Sequence, residues 1–245
     1  MTTITHAAGI LRLLASGVNQ ITSLANELNE PKSKVHRILT EMAEVGFVVR
    51  DPVKRHYYLG PLFLRLTEDP HQAHQRLLKT VAADMRHLHT LTEETVAIHI
   101  QIGTQKYCLE EIRGTHSLTF TAGKGSYAQI YAGASGKALL AQLSDAELDH
   151  VLQHVPLVKV GETTITDKSL LQDDIRGARE RGYAESIGER IPQSACVSAP
   201  IYGYAVPASI SVFGPDFRFA AKMGEVGPLV VSIAKKISRS LQLTT

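Results

Sequence analysis

Between residues 5 and 45, apolar side chains recur at helical spacing in three short runs, and each run is cut off before it can become a long helix. Ala7, Ile10, Leu11 and Leu14 make one stripe over a helix predicted from about Thr5 to Ala15, with Thr5 as its N-cap and Gly17 and Asn19 as its breakers. Ile21, Leu24, Ala25 and Leu28 make the second, capped by Thr22 or Ser23. Asn29-Glu30-Pro31 is a tight turn, and Pro31 suits the first turn of a helix because its missing N–H has no partner there. Val35, Ile38, Leu39, Met42 and Val45 then follow i, i+3, i+4, i+7 spacing until Gly46. Two β-rich runs, Phe47 to Arg50 and His56 to Leu59, flank a polar turn from Asp51 to Arg55. Two short helices across a tight turn, followed by a hairpin, predict a winged helix-turn-helix.

With 26 Lys+Arg against 24 Asp+Glu, the chain lacks the bulk charge of a histone-like protein, so any nucleic-acid binding must come from a local patch. Residues 1–66 hold eight basic and five acidic side chains, and the excess gathers on the third helix and the hairpin turn. Once Val35, Ile38, Leu39 and Met42 are buried, the opposite face presents Lys32, Ser33, Lys34, His36, Arg37 and Thr40 near the end that enters a major groove. Arg and Lys can bridge guanine edges or phosphates, and Ser or Thr can serve either. Thr22 joins this set from the second helix, and Lys54, Arg55 and His56 at the hairpin tip suit backbone or minor-groove contact. The rival reading is a plain helical bundle with a basic solvated face.

Residues 62–75 read as a helical linker interrupted near Glu68-Asp69-Pro70, which separates residues 1–61 from a second domain over 76–245. A helix is predicted from about His71 to Leu91, then a hairpin of Val96–Ile102 and Lys106–Ile112 around Gly103. Ser135 to Leu143 reads as a helix, and Ser144-x-x-Glu147 and Ser169-x-x-Gln172 both fit a capping box. The second box opens a helix ending near Gly182 with Arg179 and Arg181 in its last turn. Strands Ala195–Ile201 and Ala205–Phe213 bracket Tyr202-Gly203-Tyr204, and a last helix runs from about Pro228 to Leu241. Cys108 and Cys196 stand in no metal spacing and fit a reducing compartment. The N-terminus has no signal pattern and no apolar run nears the ~20 residues of a membrane span, so the expectation is a soluble cytoplasmic protein.

Alternation along the two late strands places Ser194, Cys196 and Ser198 on one face, and Ser209, Ser211 and Phe213 on one face of the neighbour. Solvated strand faces carry Lys, Glu or Arg, so this row reads as the lining of a small polar cavity, with a plain solvent-facing sheet as the rival. The helix start at Ser135-Gly136-Lys137 would supply unpaired N–H groups to a carboxylate; simple capping by Ser135 is the blander reading. Gly136-Lys137 is no P-loop, since Tyr131 replaces the first Gly and Ala138 the Ser/Thr. Gly123-Lys124-Gly125 lacks the context of a dinucleotide fingerprint. His71/His74 and His87/His89 read as solvated pairs, so no metal, cofactor or catalytic residue is expected.

The runs Ile21-Thr22-Ser23-Leu24-Ala25, Pro31 to Leu39, Gly46-Phe47-Val48 and Tyr58-Leu59-Gly60 resemble the winged helix of IclR-type bacterial transcription regulators. Gly133 to Ala141 is similar to that family's A-x-G-K-A-L-L-A segment. Thr163 to Asp167, Arg181-Gly182-Tyr183-Ala184 with Glu189, and Ala199-Pro200-Ile201 match its later motifs in order. The sequence departs from the pattern at Tyr127-Ala128-Gln129-Ile130, where a Pro is usual, and in the short Tyr202-Gly203-Tyr204 turn.

The resemblance implies an α+β chain whose winged helix-turn-helix is joined by a helical linker to a GAF-like effector-binding domain with a central antiparallel sheet. It implies a repressor that binds a palindromic double-stranded DNA operator as a homodimer or homotetramer. Its effector would be a small organic or aromatic acid, held around Phe120, Ala128, Ile130, Ala134, Ser135, Gly136, Ser186, Ser194, Cys196, Ser209 and Ser211. Two rivals stand beside it: an enzyme with an appended DNA-binding module that uses Cys196 or a serine, and a protein–protein adaptor that uses the winged helix without DNA.

Overall fold

The computed structural model describes residues 2–243 and divides into two compact units between Ala73 and His74. In the first, α1 (Thr3–Ala15) starts earlier than its apolar stripe suggests, because the Thr2 hydroxyl rather than Thr5 caps it, accepting from the Thr5 N–H at 3.3 Å. Helix α2 (Ile21–Glu27) has Gln20 at its N-cap and no side-chain cap, so Thr22 and Ser23 are exposed first-turn residues. Asn29 adopts a left-handed φ of 50° in the turn, and Pro31 is the extended N-cap of α3 (Lys32–Glu44), one position before the helix proper. Val35, Ile38, Leu39 and Met42 are buried as their spacing requires, whereas Val45 ends the helix as its C-cap and is 57% exposed.

Strands β1 (Val48–Arg50) and β2 (Tyr57–Leu59) pair antiparallel, Val48 opposite Leu59 and Arg50 opposite Tyr57. Val48 and Tyr57 close a core with Ile10, Leu14, Leu24, Ile38 and Leu39, each buried aliphatic side chain contributing about 1.5–3 kcal/mol of transfer free energy. Gly60 passes so near the preceding turn that a Cβ would sit 2.2 Å from the Gly46 carbonyl oxygen, so only glycine fits where the chain leaves the hairpin. Helix α4 (Pro61–Thr67) buries none of its residues, and α5 (Pro70–Ala73) follows.

The second unit is a sheet with helices on both faces. Helix α6 (Gln75–Thr92) leads into the hairpin β3 (Thr95–Ile102) and β4 (Gln105–Ile112), whose register shifts between Ile98 and His99. Next come β5 (Tyr127–Gln129), α7 (Ala134–Leu140), α8 (Asp145–His154) and α9 (Lys168–Arg181). Strands β6 (Ala184–Ile187), β7 (Ser194–Ile201) and β8 (Ala208–Pro215) complete the sheet, followed by α10 (Asp216–Phe219) and α11 (Met223–Gln242). The strand order is β5-β4-β3-β8-β7-β6, with every neighbouring pair antiparallel.

The Ser144–Glu147 capping box of α8 forms, but α9 is capped by Asp167, whose carboxylate accepts from the Leu170 N–H at 2.9 Å; Ser169 lies inside the helix. Helix α11 begins at Met223, ahead of Pro228, because buried Met223 and Val226 extend its apolar face upstream. One sheet face, with Ile98, Ile100, Val197, Ile201, Ile210 and Val212, packs on Leu77, Val81, Met85 and Leu88 of α6 and Val230, Ile233, Ile237 and Leu241 of α11. The alternate residues of the same strands face the other way, toward α7, where the Ser209 hydroxyl donates to the Ser135 carbonyl at 3.3 Å.

Candidate functional site

In the first unit, Lys32, Ser33, His36, Arg37 and Thr40 are exposed on the side of α3 opposite its buried stripe. The Thr40 hydroxyl donates to the His36 carbonyl at 3.0 Å, and Arg37 pairs with Glu41 at 3.5 Å across an exposed helix turn. Lys34 does not share this face fully. Its ammonium donates to Glu30 at 2.8 Å and approaches the buried His6, whose Nε2 lies 2.5 Å from the same Glu30 oxygen. The turn before α3 draws Lys34 inward. At the hairpin tip the Asp51 carboxylate accepts from the Lys54 and Val53 N–H groups at 2.9 and 2.8 Å, which holds its pKa below the usual carboxylate value. Lys54 and Arg55 are exposed and His56 is half-buried around that turn.

In the second unit, a cavity of about 40 Å³ opens between the sheet and the start of α7. Ser186 on β6, Ser194 and Cys196 on β7, and Ser211 on β8 line it with Ala134 and Ser135 of α7. These six are expected site residues gathered from segments far apart in sequence. Others lie elsewhere. Ser209 is fully buried beneath Ser135, Ile130 packs with Tyr131 and Leu139, and Ala128 borders an adjoining recess. Phe120 packs beside Ala97, Ala122 and Phe213, and Gly136 serves close packing, since a Cβ there would sit 1.7 Å from the Ile130 carbonyl oxygen.

The expectation that a carboxylate would sit on unpaired N–H groups at Ser135–Lys137 is corrected. The helix starts at Ala134 with Gly133 as N-cap, and the protein answers its first donors itself. The Gly133 N–H donates to Glu189 Oε2 at 3.0 Å and the Ala134 N–H to Ser186 Oγ at 2.9 Å. Lys137 is buried against Glu189 and Asp174, at 2.6 and 2.5 Å, and does not face the cavity.

The positive groups of the cavity are instead Lys106 of β4 and Arg190 of the loop after β6. Lys106 is 2% exposed and donates to the Ala132 carbonyl at 2.6 Å and Ser135 Oγ at 3.0 Å. Burial, with Arg190 nearby, pushes its pKa down to about 7. The Arg190 guanidinium reaches the Ala122 carbonyl at 3.5 Å, and among the described residues neither cation has an ion-pair partner. His99 is also buried at the wall, its Nδ1 without a hydrogen-bond partner among the described residues, and burial followed by Lys106 and Arg190 keeps its ring neutral.

Sequence reasoning missed Lys106, His99 and Arg190. A signal existed for two of them: Lys106 and His99 interrupt strands otherwise apolar on the helix-packed face, at positions that alternate with Tyr107 and Ile98. Burial pushes the Cys196 thiol up to about 12, and the Cys108 thiol of the adjoining recess likewise. His74 binds the Tyr204 hydroxyl at 2.8 Å and His89 the Arg113 carbonyl at 2.7 Å, so these two rings are occupied by the protein.

A winged helix-turn-helix followed by a sheet covered by helices on both faces, with a polar cavity on one side, defines a class of one-chain, ligand-sensing DNA-binding proteins. The family model of the IclR helix-turn-helix domain matches residues 3–52, and that described as bacterial transcriptional regulator IclR C-terminal matches residues 72–239. The chain belongs to the IclR family of bacterial transcriptional regulators. It is 29% identical to the HTH-type transcriptional regulator BhcR of Paracoccus denitrificans over 95% of this chain and 85% of that protein. It is 28% identical to the transcriptional repressor IclR of Escherichia coli over 91% and 83% respectively. Its fold is similar to the crystal structure of an IclR homologue of Microbacterium hydrocarbonoxydans complexed with 4-hydroxybenzoate, with a TM-score of 0.61 at 20% identity over 98% of this chain and 100% of that one. Among the described residues no helix is long and apolar enough to cross a membrane.

Proposed function

We propose that this regulator is a cytoplasmic repressor that binds a palindromic operator as a dimer or tetramer and is controlled by a compact organic acid held in the cavity beside α7. Residues 1–61 would read DNA, 62–75 would link, and 76–245 would bind effector and assemble. The observation that carries the effector class is the buried Lys106 and the half-buried Arg190, which face a wall of serine hydroxyls without an ion pair among the described residues. Burying charge without a counter-charge is unfavourable, so an anion is the ligand that relieves it. At about 10–15 Å³ per water, the cavity has room for only a few water-sized groups, which favours a compact acid. The acid bound to the Microbacterium homologue supports the class.

Binding rather than turnover fits Cys196. A thiol held near 12 supplies almost no thiolate at neutral pH, and the thiolate is the nucleophile. On the DNA side, Lys32, His36 and Arg37 would enter the groove, with Lys54 and Arg55 on the backbone. The Leu62–Leu66 segment of α4, on which Leu64 and Leu66 are 75% and 59% exposed on different faces, is the candidate pairing element that would set two winged helices about 34–36 Å apart.

The test is fluorescence anisotropy of the full chain on labelled palindromic DNA, in a salt series, with and without acetate, propionate, malonate or benzoate. Binding should weaken steeply with salt, and an effective acid should change operator affinity by about 5–150-fold. Salt-independent binding, or chemical conversion of the acid during the assay, would overturn the proposal.

A further inference from the structure

The two cations of the cavity have donors to spare. Lys106 has three N–H bonds and uses two of them, on Ala132 O and Ser135 Oγ, while among the described residues the five of Arg190 reach only Ala122 O, at 3.5 Å. The carboxylates nearest them are committed elsewhere. Glu189 accepts from Lys137 and from the Gly133 N–H, and Glu111 accepts from Thr121 Oγ1 at 2.6 Å and from the Ala122 N–H at 2.5 Å. His99 adds a buried Nδ1 with no partner among the described residues. Both cations also border the adjoining recess lined by Cys108, Ser126 and Ala128, so the positive groups span the cavity and the recess together.

A monocarboxylate set against one of these cations leaves the other, buried Lys106 or half-buried Arg190, without a counter-ion among the described residues. Resting on the proposed reading of this cavity as the effector site, we infer that the effector is a compact dicarboxylate, its two acid groups divided between Lys106 and Arg190. The Ser186 hydroxyl, which accepts the Ala134 N–H and keeps its own hydrogen, then donates to a remaining oxygen, while Ser194, Ser211 and His99 shape the wall around it.

Calorimetry on the full chain at pH 7 with matched probes tests this: oxalate against glyoxylate, malonate against propionate, succinate against butyrate, with inorganic phosphate as a non-carboxylate dianion. At least one dicarboxylate should bind about tenfold or more tighter than its monocarboxylate partner, the scale expected of one additional buried charge pair. Lys106→Met and Arg190→Gln should each collapse that preference while retaining monocarboxylate binding. Equal affinities within every pair, a preference that survives both substitutions, tighter binding of phosphate than of any dicarboxylate, or no dicarboxylate binding overturns the inference. The cavity-filling variant Cys196→Trp separates the two levels. Monocarboxylate binding without preference that Cys196→Trp abolishes leaves the effector cavity standing and removes only the dicarboxylate. Dicarboxylate binding that survives Cys196→Trp removes both.

Discussion

The Lys137 ammonium donates to Glu189 Oε1 at 2.6 Å, with side-chain exposures of 1% and 7%. The other oxygen of Glu189 takes the Gly133 N–H, and Lys137 also reaches Asp174 of α9 at 2.5 Å. One ion pair therefore ties the start of α7, the middle of α9 and the loop that carries Arg190 into the cavity. Lys137→Met leaves Glu189 buried without its cation and should destabilise the second unit by about 3–5 kcal/mol, whereas Lys137→Met with Glu189→Leu should recover part of that loss. Urea titrations of the single and double variants measure the difference. Equal stability of Lys137→Met and the wild type would show that the pair does not hold the loop.

Lys106 makes stability depend on pH with a definite sign. Its pKa falls from 10.5 to about 7 because the buried charged form is desolvated. Between those values the unfolded chain holds a proton that the folded chain lacks. Stability therefore rises with pH across that window, and the contribution is least favourable below about 7. Lys106→Met should flatten this part of the profile and raise the stability of the ligand-free protein at pH 7. Denaturation midpoints at pH 7, 8 and 9 provide the measurement; parallel profiles for the two proteins would contradict it.

The same group couples anion binding to protons. A carboxylate beside Lys106 favours its charged form, so binding should take up a proton near neutral pH and weaken as pH rises above about 7. Calorimetry of malonate binding in buffers of different ionisation enthalpy counts the proton. In Lys106→Met the uptake should vanish.

Much of this architecture was legible in the sequence, and the misses have physical causes. The stripe from Val35 to Met42 and the alternation of Ser194, Cys196 and Ser211 depend only on local period, and both sets lie on the faces that period assigns. Val45 has the same period and fails because the helix ends beneath it. Asp167 and Ser169 are both capable caps within three residues, and sequence pattern does not choose between them. Lys106, His99 and Arg190 meet only because β3, β4 and the loop after β6 converge on one side of the sheet. Lys34 read as a groove-facing cation because the draw of Glu30 depends on His6, 28 residues upstream.

That inward turn of Lys34 divides the basic residues of α3 into two kinds. Arg37, with a 67% exposed side chain and an exposed i,i+4 partner in Glu41, remains available to DNA. Arg37→Ala should weaken operator binding by about 1–3 kcal/mol and relax specificity at one base pair if the contact is bidentate, or lower the salt slope by about one if it is to phosphate. Lys34→Ala should act mainly on stability, because it strips Glu30 of a hydrogen bond beside the buried His6. Anisotropy at several salt concentrations, paired with thermal melts of both variants, tests the division. A larger loss of operator affinity for Lys34→Ala than for Arg37→Ala, without a fall in melting temperature, would put Lys34 in the groove and reverse the assignment.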